Sequence, residues 1–354
     1  MEEKTDTLGL LDMMTRPGFC VKDNIICKVN PAAQALMIEP DTEITSLIQT
    51  GLEEYCAMED GCMCLTLMLS GVSVSANVTV MGDYHIFLLD QQEDQAVFNA
   101  MALVARELRR PLDSVMHLTD QLLASTDQTE EAKAQTARLN RGLYQILRIV
   151  SNLSYPTAAP SSQEVRDVCA IVEEIMEKAA ALLDAKKLRI EYEGLRQSIY
   201  TLVDAELLER AILNLLSNAM KFAPEGSKIQ VRLTLKGRTL RLQVQDAGSG
   251  IAQQVKNDLF YRYLRQPGIE DSRYGLGLGM VLVRDCAAKH GGVVLIDTPE
   301  QGGSRITLTM SIRQTSGDRL LSPIHLLTDY LGGRDHMLVE LSDCLDPNLF
   351  DSEK

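Results

Sequence analysis

Three side chains in the segment ERAILNLLSNAMKFAPEG have the types and the spacing to bind a metal ion and a phosphate. Asn214, Asn218 and Lys221 stand at positions i, i+4 and i+7, so on a helix they lie within roughly 60° of one another. Amide oxygens are hard ligands that suit Mg²⁺, and a lysine ammonium can approach phosphate. Two asparagines are also common on a solvated helix face, so this segment alone is compatible with either interpretation.

A second segment, LRLQVQDAGSGI, predicts a strand followed by a glycine-rich turn. Apolar and polar residues alternate along it, so Asp246 continues the apolar face of the strand. A buried carboxylate needs a donor, because the burial of an unpaired charge is unfavourable. The exocyclic amine of adenine would supply one, and Gly248 and Gly250 would let the backbone approach a base closely. The alternative is a carboxylate that caps its own DAGSG turn.

A third segment, YGLGLGMVLVRDCAAKHGG, places glycines before an amphipathic helix. Gly275, Gly277 and Gly279 could present backbone N–H groups to a phosphate at the helix N-terminus. The spacing is GxGxG and no strand precedes it, so it is not a dinucleotide-binding fingerprint.

Together and in this order, the three segments resemble the GHKL-type ATP-binding domain shared by gyrase, heat-shock chaperone, histidine-kinase and mismatch-repair ATPases. NLLSNAMKFAPEG is similar to the N box, DAGSG to the first glycine box and GLGLG to the second. Between them, LFYRYLR resembles the phenylalanine-containing box of sensor histidine kinases, with Phe260, Tyr263 and Arg265 at matching places. The resemblance covers nearly all of residues 164–315.

This resemblance implies an α/β sandwich that binds ATP and Mg²⁺ between one sheet face and a lid near residues 252–274. It implies Mg²⁺ ligation by Asn214 and Asn218. The ATP-binding residues that it implies are Asn214, Asn218, Lys221, Asp246, Gly248, Gly250, Phe260, Arg265, Gly275, Gly277 and Gly279.

One position separates the branches of that superfamily. Its hydrolases usually place Glu four residues before the metal-binding Asn, as a base for water, whereas this chain has Asn214 there. An amide cannot act as a general base at neutral pH. Phosphoryl transfer to a protein acceptor therefore fits better than hydrolysis.

Residues 96–157 predict the helices that would carry such an acceptor. Apolar residues recur at alternating spacings of three and four, which indicates two heptad-patterned helices joined by a loop. We expect two copies to form a four-helix bundle across a homodimer; the alternative is an intramolecular seam against a neighbouring domain. The seam residues are Val97, Met101, Val104, Leu108, Pro111, Val115, Leu118 and Leu122, followed by Leu139, Leu143, Ile146, Val150 and Leu153.

The acceptor itself is missing from the first heptad helix. Histidine kinases have a His-Glu-Leu-Arg-x-Pro-Leu box, and this chain reads RELRRPL from Arg106 to Leu112. A guanidinium stays protonated in proteins and cannot replace imidazole as a phosphate acceptor. Glu107, the family's catalytic base, therefore has no His to act upon, and Arg110 replaces a residue that commonly serves phosphatase activity. His117 lies roughly 16 Å farther along the helix and is interpreted as a surface residue.

The remaining segments complete a multidomain α+β chain. Residues 1–95 resemble a PAS-like α/β module, with strands predicted at KDNIICKVN and DYHIFLLD, a short helix at PAAQALMI and a β-hairpin that turns at Ser70–Gly71; a packed dimerisation or spacer module fits equally well. We expect a helical-hairpin dimerisation domain in 96–157, the ATP-binding domain in 158–315 and a tail of unassigned role in 316–354, with a short helix at 323–331.

Composition limits the partners. Lys and Arg number 35 and Asp and Glu number 49, which gives a net charge of −14 and argues against binding to nucleic acid or anionic membranes. The uncharged stretch between Gly61 and Gly82 alternates with a period of two, so it predicts a hairpin rather than a membrane span. Eight scattered cysteines without a CxxC motif, after a polar N-terminus, predict a reducing, cytoplasmic location. Cys56, Cys62 and Cys64 lack structural-zinc spacing and are interpreted as thiols.

Two functions remain open at this point. One is a cytoplasmic sensor histidine kinase-like protein whose phosphoryl transfer is altered or lost. The other is a non-catalytic ATP-binding regulator that pairs with an active kinase or a response regulator. A Ser/Thr kinase on the same nucleotide fold, as in anti-sigma factors, is disfavoured by the heptad helices and by LFYRYLR.

Overall fold

The computed structural model describes most of the chain. The described residues are 9, 11–12, 14–90, 93–124, 129–154, 163–251, 278–313 and 334–351. The predicted lid near 252–274 and the predicted short helix at 323–331 lie outside these ranges.

The first module is an antiparallel sheet with two short helices. Its elements are β1 (Gly18–Lys22), β2 (Ile25–Val29), α1 (Pro31–Gln34), β3 (Ile48–Thr50), α2 (Leu52–Cys56), β4 (Cys62–Leu69), β5 (Val72–Met81) and β6 (Tyr84–Leu89). Asp23 and Asn24 connect β1 to β2 with positive φ, as do Ser70 and Gly71 between β4 and β5, which is the geometry of tight hairpin turns. The predicted strands and β-hairpin of this region are therefore present, while the helix predicted at PAAQALMI is present only over Pro31–Gln34.

Two long helices follow, α3 (Glu93–Leu123) and α4 (Glu130–Ser154), and they pack against each other. On α3 the packed face is made by Ala105, Leu112 and Met116, which lie about 100° around the helix from the predicted heptad seam. The described seam residues of α3 remain exposed, among them Val104 at 59% and Leu108 at 51%. The heptad seam of α3 is thus not the surface that joins the two helices within one chain.

The third module is a sheet covered by helices on one face. Its elements are β7 (Glu164–Asp167), α5 (Val168–Ala185), β8 (Arg189–Glu193), β9 (Tyr200–Val203), α6 (Ala205–Phe222), β10 (Lys228–Lys236), β11 (Thr239–Gln245), α7 (Leu278–Lys289), β12 (Val294–Asp297) and β13 (Arg305–Ser311). Strands β8, β10, β11, β13 and β12 are neighbours in that order, while β7 pairs with β9 separately. The main hydrophobic core lies between this sheet and helices α5, α6 and α7.

The first and third modules share one continuous sheet, because β4 pairs antiparallel with β12. We call this pairing, Cys62–Cys64 with Val294–Ile296, the sheet interface. Strand alternation sends Met63 and Leu295 toward the core of the first module, and their neighbours on both strands toward the core of the third. Backbone hydrogen bonding and two hydrophobic cores therefore hold the modules together.

Two ion pairs flank the sheet interface. Arg284 on α7 bonds Asp90 at 2.7 Å, and Arg241 on β11 bonds Glu54 at 3.0 Å. Gly61, just before β4, has a φ of +92°, and a Cβ there would lie 2.1 Å from the carbonyl oxygen of Ile296. Only glycine allows this approach of the two backbones.

The described end of the chain packs onto α4 and α6. It contains α8 (His336–Leu341) and a 3₁₀ turn, Pro347–Phe350. Asp335 caps α8 by accepting from the N–H of Leu338 at 3.1 Å, and Phe350 meets the Tyr144 ring edge-on at 5.2 Å between centroids. We call the contacts of residues 334–351 with α3, α4 and α6 the tail interface.

Within the described ranges, no helix has both the length and the apolar character needed to cross a bilayer.

Candidate functional site

Helix α6 carries the first predicted site residues, and local sequence explains its position. Asp204 accepts from the N–H of Leu207 at 3.1 Å and caps the helix, as its residue type favours. The helix ends at Phe222, just before Pro224. One stripe packs into the core, namely the fully buried Leu208, Ile212, Leu215 and Ala219. The cap, the end and the core-facing stripe of this helix therefore follow from its own residue types.

His290 supports the same helix terminus. Its Nε2 accepts from the N–H of Asp204 at 3.0 Å, so its Nδ1 carries the proton and donates to the carbonyl of Cys286 at 2.7 Å. Burial is the main cause that lowers the pKa of His290. The side chain is therefore held neutral and has a structural role.

Asn214 is buried and both ends of its amide are bonded. Nδ2 donates to the carbonyl of Arg210 at 2.8 Å, and Oδ1 accepts from Nη2 of Arg148 at 3.0 Å. Arg148 reaches this position from α4. In this conformation the amide oxygen that would ligate Mg²⁺ is engaged by a hydrogen bond from Arg148.

Asn218 and Lys221 follow on the same face, half-buried. Nδ2 of Asn218 contacts the sulfur of Met280 at 3.3 Å, and no described residue donates a hydrogen bond to its Oδ1. The ammonium of Lys221 is paired with Asp343 of the tail at 2.7 Å. The three residue types fit a metal and a phosphate, but only Asn218 keeps its oxygen available.

The first glycine box adjoins the C-terminal end of α6. Asp246 is buried, and its Oδ1 accepts from the N–H of Gly248 at 2.7 Å, while Oδ2 accepts from the Ser304 hydroxyl. A Cβ on Gly248 would lie 2.6 Å from the carbonyl oxygen of Phe222. The carboxylate therefore caps its own turn, as the alternative interpretation held. Gly250 has a φ of +75° in the same turn.

The second glycine box adjoins the middle of α6. A Cβ on Gly279, in the first turn of α7, would lie 2.5 Å from Oδ1 of Asn214. The predicted site residues Gly275 and Gly277, with Phe260, Tyr263 and Arg265, lie outside the described residues. Among the described ones, the parts of all three motifs converge on α6.

The segment RELRRPL, which resembles the H box, lies on the exposed surface of α3. Arg106, Glu107 and Arg110 are all exposed. His117 is also exposed, with Nε2 3.1 Å from Nε2 of Gln121, so its interpretation as a surface residue is confirmed. The described residues hold no cluster of three His, Cys, Asp or Glu that could bind a metal ion. Cys62 and Cys64 are buried and Cys56 is exposed.

Sequence reasoning missed three charged residues at this site. Arg148 bonds Glu340 at 3.2 Å and Asp343 at 2.8 Å, in addition to Asn214. The available signal was Asp335, an N-cap residue followed by apolar positions in HMLVEL. Nothing local indicated that this helix would pack against α6.

Comparisons with known proteins agree with these motifs. A family model described as "Histidine kinase-, DNA gyrase B-, and HSP90-like ATPase" matches residues 203–314. The sensor-like histidine kinase SenX3 of Mycolicibacterium smegmatis is 28% identical over 261 residues, which cover 68% of this chain and 66% of that protein. The sensor protein RstB of Escherichia coli is 30% identical over 212 residues, or 58% of this chain and 47% of RstB.

Other matches span a smaller share of the relative. The sensor protein KdpD of Clostridium acetobutylicum is 25% identical over 247 residues, which cover 66% of this chain and 27% of KdpD. The crystal structure of full-length ShkA in complex with AMPPNP matches with a TM-score of 0.49 and 21% identity, over 61% of this chain and 46% of ShkA. The chain spans from about a quarter to two thirds of the length of these relatives.

Proposed function

Because this chain belongs to the sensor histidine kinase family and carries a GHKL-type ATPase domain, we propose that it binds ATP with Mg²⁺ at α6 and has lost phosphoryl transfer to the H-box position. The convergence of all three motifs on α6 carries the proposal. Gly248 abuts one end of the helix, and Gly279 abuts Asn214 in its middle. Bound ATP would supply a transferable γ-phosphoryl group, while Arg106 offers no nucleophile at the family's acceptor position.

Each motif has a separate role in this proposal. Asp246, which is held by hydrogen bonds from the N–H of Gly248 and the hydroxyl of Ser304, would accept from the adenine amine. Asn218 would ligate Mg²⁺ through its available Oδ1, and Lys221 would contact a phosphate. Asn214 would be the second amide ligand, and the glycine-rich start of α7 would offer backbone N–H groups to phosphate.

The exposed seam of α3 supports assembly as a homodimer through residues 96–157. Apolar side chains such as Val104 and Leu108 are exposed along one stripe, and a second copy would bury them in a four-helix bundle. Leu108→Glu should give monomers by light scattering, because the bundle would bury an unpaired charge. His117→Glu, on the opposite face of the helix, should leave the mass unchanged.

A response regulator or a partner kinase is the proposed target, and the cytoplasm the proposed location. The eight cysteines support that location, since all of them are free thiols, as in reducing compartments. A non-catalytic regulator is the second candidate function. The exposed Arg106 favours it, because a guanidinium at the family's acceptor position could bind an acidic partner without accepting phosphate.

Nucleotide binding by the full chain tests the first part of this proposal. We expect calorimetry to detect Mg²⁺-dependent ATP binding that Asp246→Asn weakens at least about tenfold, as for a lost charge-assisted hydrogen bond. Asn218→Ala should chiefly remove the dependence on Mg²⁺. Asp184→Asn, an equal charge change at an exposed site of α5, is the control. Unaltered affinity in both site variants would reject the assignment.

Restoring the acceptor tests the second part. The wild type should acquire no acid-labile phosphate on α3 from γ-labelled ATP, whereas Arg106→His should acquire it beside Glu107. Arg110→Thr is added in a double variant, because Arg110 lies one turn away and could bind the γ-phosphate unproductively. Arg106→Gln controls for loss of the cation alone. If both His variants bind ATP, dimerise and stay unlabelled, the regulator becomes the preferred function.

A further inference from the structure

The tail interface brings two carboxylates to the side chains that the proposed function assigns to nucleotide. Asp343 lies between Arg148, at 2.8 Å, and Lys221, at 2.7 Å. Glu340 is fully buried and lies between Arg148, at 3.2 Å, and Arg210, at 3.7 Å. The tail therefore supplies anionic oxygens to the cations of α4 and α6, as the phosphates of a nucleotide would.

These contacts include the side chains that are proposed to bind Mg²⁺ and phosphate. The ammonium of Lys221 forms an ion pair with Asp343. Oδ1 of Asn214 accepts a hydrogen bond from Arg148, and its Nδ2 lies 3.5 Å from a carboxylate oxygen of Glu340. Two of the three predicted N-box side chains are thus engaged by the tail or by the arginine that the tail pairs with.

Asp343 stays ionised in this position. Burial opposes its ionisation, but Arg148 and Lys221 together outweigh burial and hold the pKa of this carboxyl below its ordinary value. A phosphate that approached Lys221 would meet this negative charge, and like charges in a partly buried site repel strongly. Docking of the tail and binding of a triphosphate at Lys221 therefore oppose each other.

The rest of the segment anchors it on helices outside the sheet. Arg141 of α4 donates to the carbonyls of Ser342 and Asp343 at 3.0 and 3.1 Å. Arg334 pairs with Asp120 of α3 in a bidentate contact. The described tail contributes no strand to the sheets, so its release would leave every strand pairing intact.

We propose that the docked segment 334–351 is an internal competitor of ATP: through Arg148, Glu340 and Asp343 it holds Asn214 and Lys221, and nucleotide binding requires its release. This proposal depends on the proposed ATP site and adds a way in which ATP binding at that site is regulated. Because coupling between two ligands of one site is reciprocal, ATP also drives the tail off α4. A signal that reaches the α3–α4 helices would then set the affinity for ATP.

The first test compares two isosteric variants of the full chain. Asp343→Asn removes the charge that pairs with Lys221 and should favour release of the tail. If the fraction of molecules with a released tail rises tenfold, the apparent dissociation constant of the variant for ATP–Mg²⁺ falls about tenfold. Asp351→Asn makes the same charge change at an exposed position of the same segment and should bind like wild type. In wild type, ATP–Mg²⁺ should raise the hydrogen exchange of residues 336–350.

A second variant holds the tail in place. The Oγ of Ser217 on α6 lies 3.7 Å from the Sγ of Cys344, so Ser217→Cys with oxidised glutathione should form a cross-link from α6 to the tail. We expect the oxidised variant to bind ATP at least about tenfold more weakly than after reduction. Wild type carried through the same oxidation and reduction is the control, and mass spectrometry measures the cross-link.

The outcomes separate the two proposals. If wild type, Asp343→Asn and the cross-linked Ser217→Cys protein bind ATP equally, the ATP site stands and the competitor is rejected. If none of them binds ATP at millimolar concentration, the reduced Ser217→Cys protein included, the proposed function fails and the competitor fails with it. Should Ser217→Cys not fold or not cross-link, equal affinities of Asp343→Asn and wild type, without a change in exchange, reject the competitor.

Discussion

The sheet interface and the tail interface attach different segments to the same ATPase domain by different forces. At the sheet interface, β4 and β12 share backbone hydrogen bonds, and their side chains enter two hydrophobic cores. At the tail interface, Arg148 bridges the buried Glu340, the half-buried Asp343 and an amide of the candidate site. Separation of β4 from β12 would expose apolar side chains of two cores to water, whereas the carboxylate on Lys221 can be replaced by another anion. We therefore expect the sheet interface to persist and the tail interface to exchange with bound nucleotide.

Breaking the sheet interface should have the largest effect on stability. Gly61→Val would combine a strained positive φ with a Cβ 2.1 Å from the carbonyl of Ile296, and we expect a loss of about 4 kcal/mol in the free energy of unfolding. Denaturant unfolding measures it. Gly71→Val also has a positive φ but open space around it, and should lose only about 1–2 kcal/mol. Equal losses would mean that the contact with β12 contributes nothing.

Removing the central cation of the tail interface should have a smaller and more local effect. Arg148→Met removes the cation that lies 3.2 Å from the fully buried Glu340, and breaking a buried pair in this way costs about 3 kcal/mol. Hydrogen exchange should locate the loss in residues 336–350 and leave β12 protected, since local opening can release the tail. Arg138→Met, exposed on the same helix, should change stability by less than about 0.5 kcal/mol. Loss of protection from hydrogen exchange throughout β12 would contradict independent opening of the tail interface.

Acidification should have the smallest effect on stability, and it should act through His290. His290 precedes β12 and accepts from Asp204 at the start of α6. Its pKa is lowered in the folded protein, chiefly by burial, while the unfolded value is about 6.5. The unfolded chain therefore binds more protons below about pH 6.5, and the stability that neutral His290 contributes is lost as pH falls through its folded pKa.

Thermal unfolding between pH 7 and pH 5 measures this contribution. The melting temperature of wild type should fall more steeply than that of His290→Gln, which does not titrate. Parallel curves for the two proteins would exclude His290 as the group responsible.

Much of the candidate site follows from local rules. A helical period of 3.6 places Asn214, Asn218 and Lys221 on one face, and the structure has them there. Strand alternation places Asp246 on the buried face, and Asp204 caps α6 as its residue type predicts. The turn residues Ser70 and Gly71 likewise predicted the β-hairpin between β4 and β5. In each case the physical cause acts within a few residues, so a single sequence contains it.

Only the tertiary structure decided which surfaces meet. The heptad pattern identified an apolar stripe on α3, but Ala105, Leu112 and Met116 on an adjacent face pack on α4, because burial depends on the partner surface as well as on the pattern. The partners of Arg148 lie 66 residues away at Asn214 and 192 away at Glu340. The pairing of β4 with β12 is similarly remote. The sequence by itself determined the residues that could bind a nucleotide; the packing of remote segments determined that an acidic tail lies on them, because no local rule relates residues so far apart in the chain.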